Sequence, residues 1–238
     1  MTYTNSPLVN YTQISPHRGS RNGHAIDTIT IHCAAAQAAV ETLGRLFQTK
    51  QASANYGIGA DGRVGMYVPE GERSWCTSNN ANDARAVTIE VACDNRHPYA
   101  VKDAVYKKLI TLVADICKRN GIAKLVWSTD KYDRMNHKGG CNMTVHRDYE
   151  NKACPGQWLY ERHGQIAAEV NKRLTEDEEM VRWNKIEDVP EGFYRDTVRQ
   201  LMQDGIIKGK GNGVIDLTED MLRVTIYNKR MIETMLEK

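Results

Sequence analysis

No stretch of the 238-residue chain approaches eighteen consecutive apolar residues, so no segment is expected to cross or insert into a membrane as a helix. The six cysteines, at 33, 76, 93, 117, 141 and 154, include no Cys-x-x-Cys pair and no small-scaffold framework. Reduced thiols are the expectation, with one available as a metal ligand. No repeat of 20–50 residues and no low-complexity tract occurs, which removes solenoids and linker-like chains. The opening Met1-Thr2-Tyr3-Thr4-Asn5-Ser6-Pro7 carries neither a charged leader nor an apolar core. Synthesis in the cytoplasm without a signal peptide is therefore expected.

What is present is ordinary for a folded protein: 41% apolar and 26% charged residues, with a net charge of +2. That balance hides an asymmetry. Residues 1–174 carry 22 Lys and Arg against 16 Asp and Glu, whereas residues 175–238 carry 10 against 14. A basic body suits anionic partners in general. Its cations are scattered along the chain, which argues against nucleic acid.

The densest chemistry lies in Thr144-Val145-His146-Arg147-Asp148-Tyr149-Glu150-Asn151-Lys152-Ala153-Cys154-Pro155-Gly156. A histidine and a cysteine stand eight positions apart, with a lysine two places before the cysteine. Imidazole and thiolate are good zinc ligands, but two cannot complete the coordination. A third ligand is required, and His32 fits best, at the end of the apolar run Ile29-Thr30-Ile31. Three protein ligands leave one position for water, the mark of a catalytic rather than a closed structural site. Water held there has a pKa near ~7.

Periodicity places these residues. Residues 25–32 alternate apolar and polar side chains and read as a strand ending at His32. Residues 38–47 read as a helix, and 55–58 with 64–68 as a hairpin around Asp61-Gly62. Residues 86–93 form an apolar strand interrupted by Glu90. Residues 101–120 are the clearest helix, with Val105, Leu109, Leu112, Val113 and Ile116 on one face and Gly121 ending it. Residues 125–127 read as a short strand, 128–142 as a surface loop, and 157–174 as a last helix. Residues 1–24 are expected to wrap the surface. The sum is an α/β domain over 1–174 with a mixed central β-sheet flanked by helices. An acidic run opens a linker over 175–184. Residues 185–238 read as a small all-α helix–loop–helix unit, near the lower limit for folding alone.

Residues 26–174 resemble the zinc-dependent N-acetylmuramoyl-L-alanine amidases that share a fold with peptidoglycan recognition proteins. The resemblance rests on Thr28-Ile29-Thr30-Ile31-His32, Ser53-Ala54-Asn55-Tyr56 leading to Asp61-Gly62, Ser74-Trp75, Val87-Thr88-Ile89-Glu90, and Thr144-Val145-His146 through Cys154-Pro155-Gly156, in family order. It implies zinc held by His32, His146 and Cys154, and cleavage of the amide between the lactyl group of muramic acid and L-alanine. The tyrosine that some members use as base would fall on Ala54, with Tyr56 in the core. Ile89-Glu90 matches the members that use a glutamate. Glu90 and Lys152 are thus the expected catalytic pair, the lysine facing the developing oxyanion. Trp75 is the expected substrate-stacking residue. Cys76 stands where relatives often carry histidine, and Cys33, adjacent to a ligand, is expected to point to the other face of its strand.

The missing leader fits a phage endolysin acting on the wall after release. A non-catalytic peptidoglycan-binding module is the alternative, against which Cys154 argues, since non-catalytic relatives typically lack that ligand. A thiol hydrolase built on Cys154 and His146 is a further rival. The C-terminal unit faintly resembles a single surface-layer-homology module, which suggests wall binding first and homodimerisation second.

Overall fold

The computed structural model describes residues 3–179 and 182–236. It divides into two compact units, Met1–Leu174 and Thr175–Lys238. In chain order the first contains β1 (Val9–Thr12), β2 (Arg18–Ser20), β3 (Thr28–Cys33), α1 (Val40–Thr49), β4 (Tyr56–Ile58), β5 (Val64–Met66), β6 (Glu72–Ser74), α2 (Asn80–Arg85), β7 (Ala86–Val91), α3 (Asp103–Asn120), α4 (Lys131–Met135), β8 (Met143–Thr144) and most of α5 (Gln157–Glu179), whose last turn lies beyond Leu174.

Six strands form one mixed sheet in the order β1-β5-β4-β7-β3-β8. Only β4 and β5, joined through Asp61-Gly62, run antiparallel; the other neighbours are parallel. Because side chains alternate across a strand, this register sorts the sheet into two faces. Ile29 and Ile31 lie opposite Val87 and Ile89, and Met143 is the β8 partner of Ile29. All five are fully buried and pack with α3 and α5 in one core. Each contributes roughly 1.5–3 kcal/mol by leaving water. On the other face Thr30 aligns with Thr88 and Thr144, and His32 with Glu90.

The helix over 103–120 presents Val105, Leu109, Leu112, Val113 and Ile116, each fully buried, to the apolar face. Gly121 ends it with φ 69°, a left-handed cap that glycine adopts without a Cβ penalty. Helix α1 packs with Leu43, Phe47, Ala54 and Tyr67 beside β4 and β5. A Cβ at Gly57 of β4 would stand 2.8 Å from both Leu43 and Tyr67, so glycine alone fits there.

Several expectations need correction. Residues 125–127 form no strand: the Leu125 N–H and C=O are taken by the Asn171 amide, and the Val126 N–H donates to Asn142 Oδ1. The 128–142 loop contains α4, started by Asp130, whose side chain accepts from the Tyr132 and Asp133 N–H groups. Residues 9–12 join the main sheet as its edge strand rather than merely wrapping the surface. Most of the expected 175–184 linker is regular structure, since α5 continues to Glu179 and a strand begins at Arg182; residues 180–181 lie outside the described residues. The good helix propensity of Glu accounts for the extension.

The second unit has β9 (Arg182–Trp183), α6 (Phe193–Gln203), β10 (Leu217–Thr218) and α7 (Glu219–Leu236). Its two helices follow the expected pattern, but it is not all-α, because β9 and β10 pair as an antiparallel ribbon. Trp183, Val189, Val198, Leu201, Ile215, Leu217 and Leu222 form its core.

Candidate metal centre

Three elements deliver the centre. Strand β3 carries His32, which is 1% exposed. The loop after β8 carries His146, at the start of a single 3-10 turn, and then Cys154. This loop is held at two points. Asp148 receives a bidentate pair from Arg134 at 2.8 and 2.5 Å, both side chains buried. Arg147 donates to the Ala153 carbonyl at 2.7 Å, and its N–H bonds the Cys154 carbonyl. Removing one partner of such a buried pair leaves an uncompensated charge and costs about 3–5 kcal/mol.

Donor atoms of His32, His146 and Cys154 all lie within 4.8 Å of one another. Cys154 Sγ is 3.3 Å from His32 Nδ1, and the two imidazole centroids are 5.1 Å apart. Two ligands on one tetrahedral zinc, at about 2.0 Å for nitrogen and about 2.3 Å for sulfur, would be about 3.5 Å apart. Burial lowers the His32 pKa to about 3, helped by His146 and His163. The His146 pKa is lowered by burial and then by the Lys152 charge. Both rings are therefore neutral at neutral pH, as a ligand must be. Their Nε2 atoms are shut from solvent and have no hydrogen-bond partner. The donor set thus fits a divalent ion such as zinc.

Glu90 lies beside His32, on the same face, through the parallel β3–β7 register. The residue is partly exposed, yet its Oε2 is shielded and meets no donor. Burial pushes its pKa up to about 7. Lys152 is exposed and, with Lys131, Arg147 and Glu150, lines a cavity of about 460 Å³. Trp75 is 38% exposed and stands 5.5 Å from the His17 ring, so it is no interior tryptophan. Tyr56 belongs to the apolar face, where its hydroxyl donates to Glu70 at 2.6 Å.

Residues that sequence reasoning passed over support the polar face. Asn82 donates to Thr30 and accepts from Thr144 and Tyr149, while Thr30 and Thr144 hydroxyls bond each other at 2.7 Å. Threonine at alternate strand positions, in step with His32 and Glu90, was the available signal. Cys33 is not among the metal-donor groups, but its thiol hydrogen-bonds those of Cys154 and Cys93; the Cys154 bond, with burial, outweighs the lowering by Cys93 and pushes its pKa up to about 12.

Residues 22–157 match the Amidase_2 family, N-acetylmuramoyl-L-alanine amidase. The chain belongs to this amidase family. The chain is similar in structure to a selenomethionine derivative of AmpD, with 18% identity, a TM-score of 0.51, and coverage of 70% of this chain and 99% of that one. A mutant endolysin from Bacillus subtilis is similar at 17% identity and TM-score 0.48, over 68% of this chain and 99% of that one. The endolysin amidase LysCS from Clostridium intestinale URNW is similar at 20% identity and TM-score 0.49, over 68% and 93%. No curated protein matches the chain. Membership makes the protein a peptidoglycan amidase with the mixed α/β fold of its relatives.

Proposed function

We propose that this amidase is zinc-dependent, that it cleaves the bond between the lactyl group of N-acetylmuramic acid and L-alanine, and that it serves as an endolysin. The observation that carries the zinc reading is the convergence of two neutral imidazoles and one thiol from distant segments onto a common point. His32, His146 and Cys154 would hold the zinc, which would supply Lewis acidity to polarise a carbonyl and to acidify water. Glu90 accepts a proton from the attacking water and delivers it to the departing alanine nitrogen. In the metal-free chain burial raises the Glu90 pKa, which favours a carboxyl able both to take and to give up a proton. Lys152 presents its ammonium to the carbonyl oxygen as charge develops. Trp75 offers an exposed ring to the sugar or peptide.

The thiol-hydrolase rival needs an easily formed thiolate, whereas burial raises the Cys154 pKa. Cys154 beside both histidines also weighs against a non-catalytic binding module.

Among the described residues no helix is long and apolar enough to cross a membrane. Endolysin action requires access to the wall from the cytoplasmic side, with release supplied by a partner. The second unit would bind wall polymer, with homodimerisation as the competing role. Either would cover the exposed Tyr227, Met231 and Met235 of α7. Deleting residues 180–238 and measuring sedimentation onto cell walls separates them: unchanged sedimentation removes the targeting role.

The test of the main reading is zinc content and release of L-alanine amino termini from purified walls. One bound zinc and new amino termini are expected, both lost in His32→Ala and Cys154→Ala. Wild-type metal content in both variants would overturn the ligand assignment.

A further inference from the structure

A second set of metal donors adjoins the first. His32, Cys76 and Glu90 also place donor atoms within 4.8 Å of one another, and this set shares only His32 with the set that includes His146 and Cys154. Glu90 arrives through the β3–β7 register. Cys76 arrives from the turn after β6, and that turn is fixed. The buried Asp83 carboxylate accepts the N–H groups of Cys76 and Thr77 at 2.9 and 3.0 Å and the Thr77 hydroxyl at 2.6 Å. Cys76 is therefore held beside Glu90 by the fold.

One oxygen of Glu90, Oε2, is shielded from solvent without a donor. Leaving such groups unsatisfied is unfavourable, and nothing in the amidase reaction as derived above uses Cys76.

We propose that Cys76 and Glu90 form a second, weaker divalent-metal position beside the first, filled when metal is in excess, and that filling it inhibits the enzyme. A thiolate with a carboxylate selects zinc, cadmium or cobalt(II) over magnesium or calcium. Binding exchanges the Cys76 S–H bond for a sulfur–metal bond and releases that proton to solvent. Affinity is lower than at the first position because fewer ligands belong to this one alone. The metal position stands on the donor geometry; the inhibition rests on the reading of Glu90 as proton acceptor, because an oxygen bound to metal no longer takes the water proton.

The test is titration of the metal-stripped full chain, with zinc in equilibrium dialysis and with cobalt(II) followed by its thiolate charge-transfer absorption. Two zinc equivalents of unequal affinity are expected, and the cobalt band should grow during both. The second zinc equivalent should protect Cys76 from alkylation, read by peptide mass. In Cys76→Ala the second equivalent and its share of the band disappear while the first remains. Wall hydrolysis by the wild type should fall about tenfold once free zinc reaches about ten times the second dissociation constant. Binding that stops at one equivalent in the wild type, or Cys76 alkylated at the same rate at every zinc concentration, overturns the proposal. Because those two readouts use the wild type, they hold even if the variant does not fold. A chain that binds no zinc overturns the first centre as well; a chain that binds one overturns only the second.

Discussion

The two faces of β3 and β7 are built from alternate residues of the same twelve, yet they follow opposite rules. One face, with Ile29, Ile31, Val87 and Ile89, is apolar and packs with α3 and α5. The other, with Thr30, His32, Thr88 and Glu90, is polar, and includes the unpaired atoms His32 Nε2 and Glu90 Oε2. The first face is stabilised by burial, whereas the second carries the desolvation cost of the groups proposed to hold a metal and to transfer a proton. Stability and chemistry are thus separated by one residue of strand register. A slip of one position would exchange them entirely.

The strongest way to break the contrast is to remove a ligand from the polar face. His32→Ala or Cys154→Ala should abolish zinc binding at the first centre and reduce wall hydrolysis to background, while circular dichroism keeps the α/β signature. Next comes the apolar face. Ile89→Ala should destabilise the protein by about 2–5 kcal/mol in denaturant unfolding, and the folded variant should still bind zinc at the first centre. Loss of that zinc from folded Ile89→Ala would show that the two faces are not separable.

The cost of the polar face should depend on pH, unlike that of the apolar face. The folded Glu90 pKa, about 7, lies above its ordinary value of 4.5, so the folded state holds the proton more tightly. Metal-free protein should therefore lose up to about 3 kcal/mol from this group as pH rises from 4.5 through 7. Glu90→Gln should lack that decline and, when metal is bound, lose hydrolysis without losing the first zinc. Equal pH slopes for both proteins would remove the buried-carboxylate account. The smallest effect belongs to the threonine network. Thr144→Val leaves Asn82 Oδ1 and Thr30 short of a partner and should cost about 1–3 kcal/mol, measured by thermal unfolding of the metal-free protein.

Local pattern was enough for much of this architecture. Alternation reads β3 and β7, the apolar stripe with Gly121 reads α3, and Asp61-Gly62 reads the β4–β5 hairpin. The placing of His146 and Cys154 together was legible because the two lie within nine residues of one another. What stayed hidden depends on partners far away in the chain. Strand parity says which side Glu90 takes, but its place beside His32 needs the parallel pairing of residues 58 positions apart. Arg134 looks like a surface cation until the fold buries it against Asp148, with its guanidinium 4.4 Å from the Trp127 ring. The 125–127 segment carries the composition of a strand, but side-chain amides of Asn142 and Asn171 take its backbone groups. Cys76 was marked only by following Ser74-Trp75; its place beside Glu90 depends on the Asp83 hydrogen bonds.

X-ray absorption at the zinc edge, on protein carrying one equivalent, tests the ligand set most directly. The expected first shell contains one sulfur at about 2.3 Å and two imidazole nitrogens at about 2.0 Å, with a light atom completing it. A shell of nitrogen and oxygen alone, without sulfur, would contradict the assignment of Cys154 and the centre built on it.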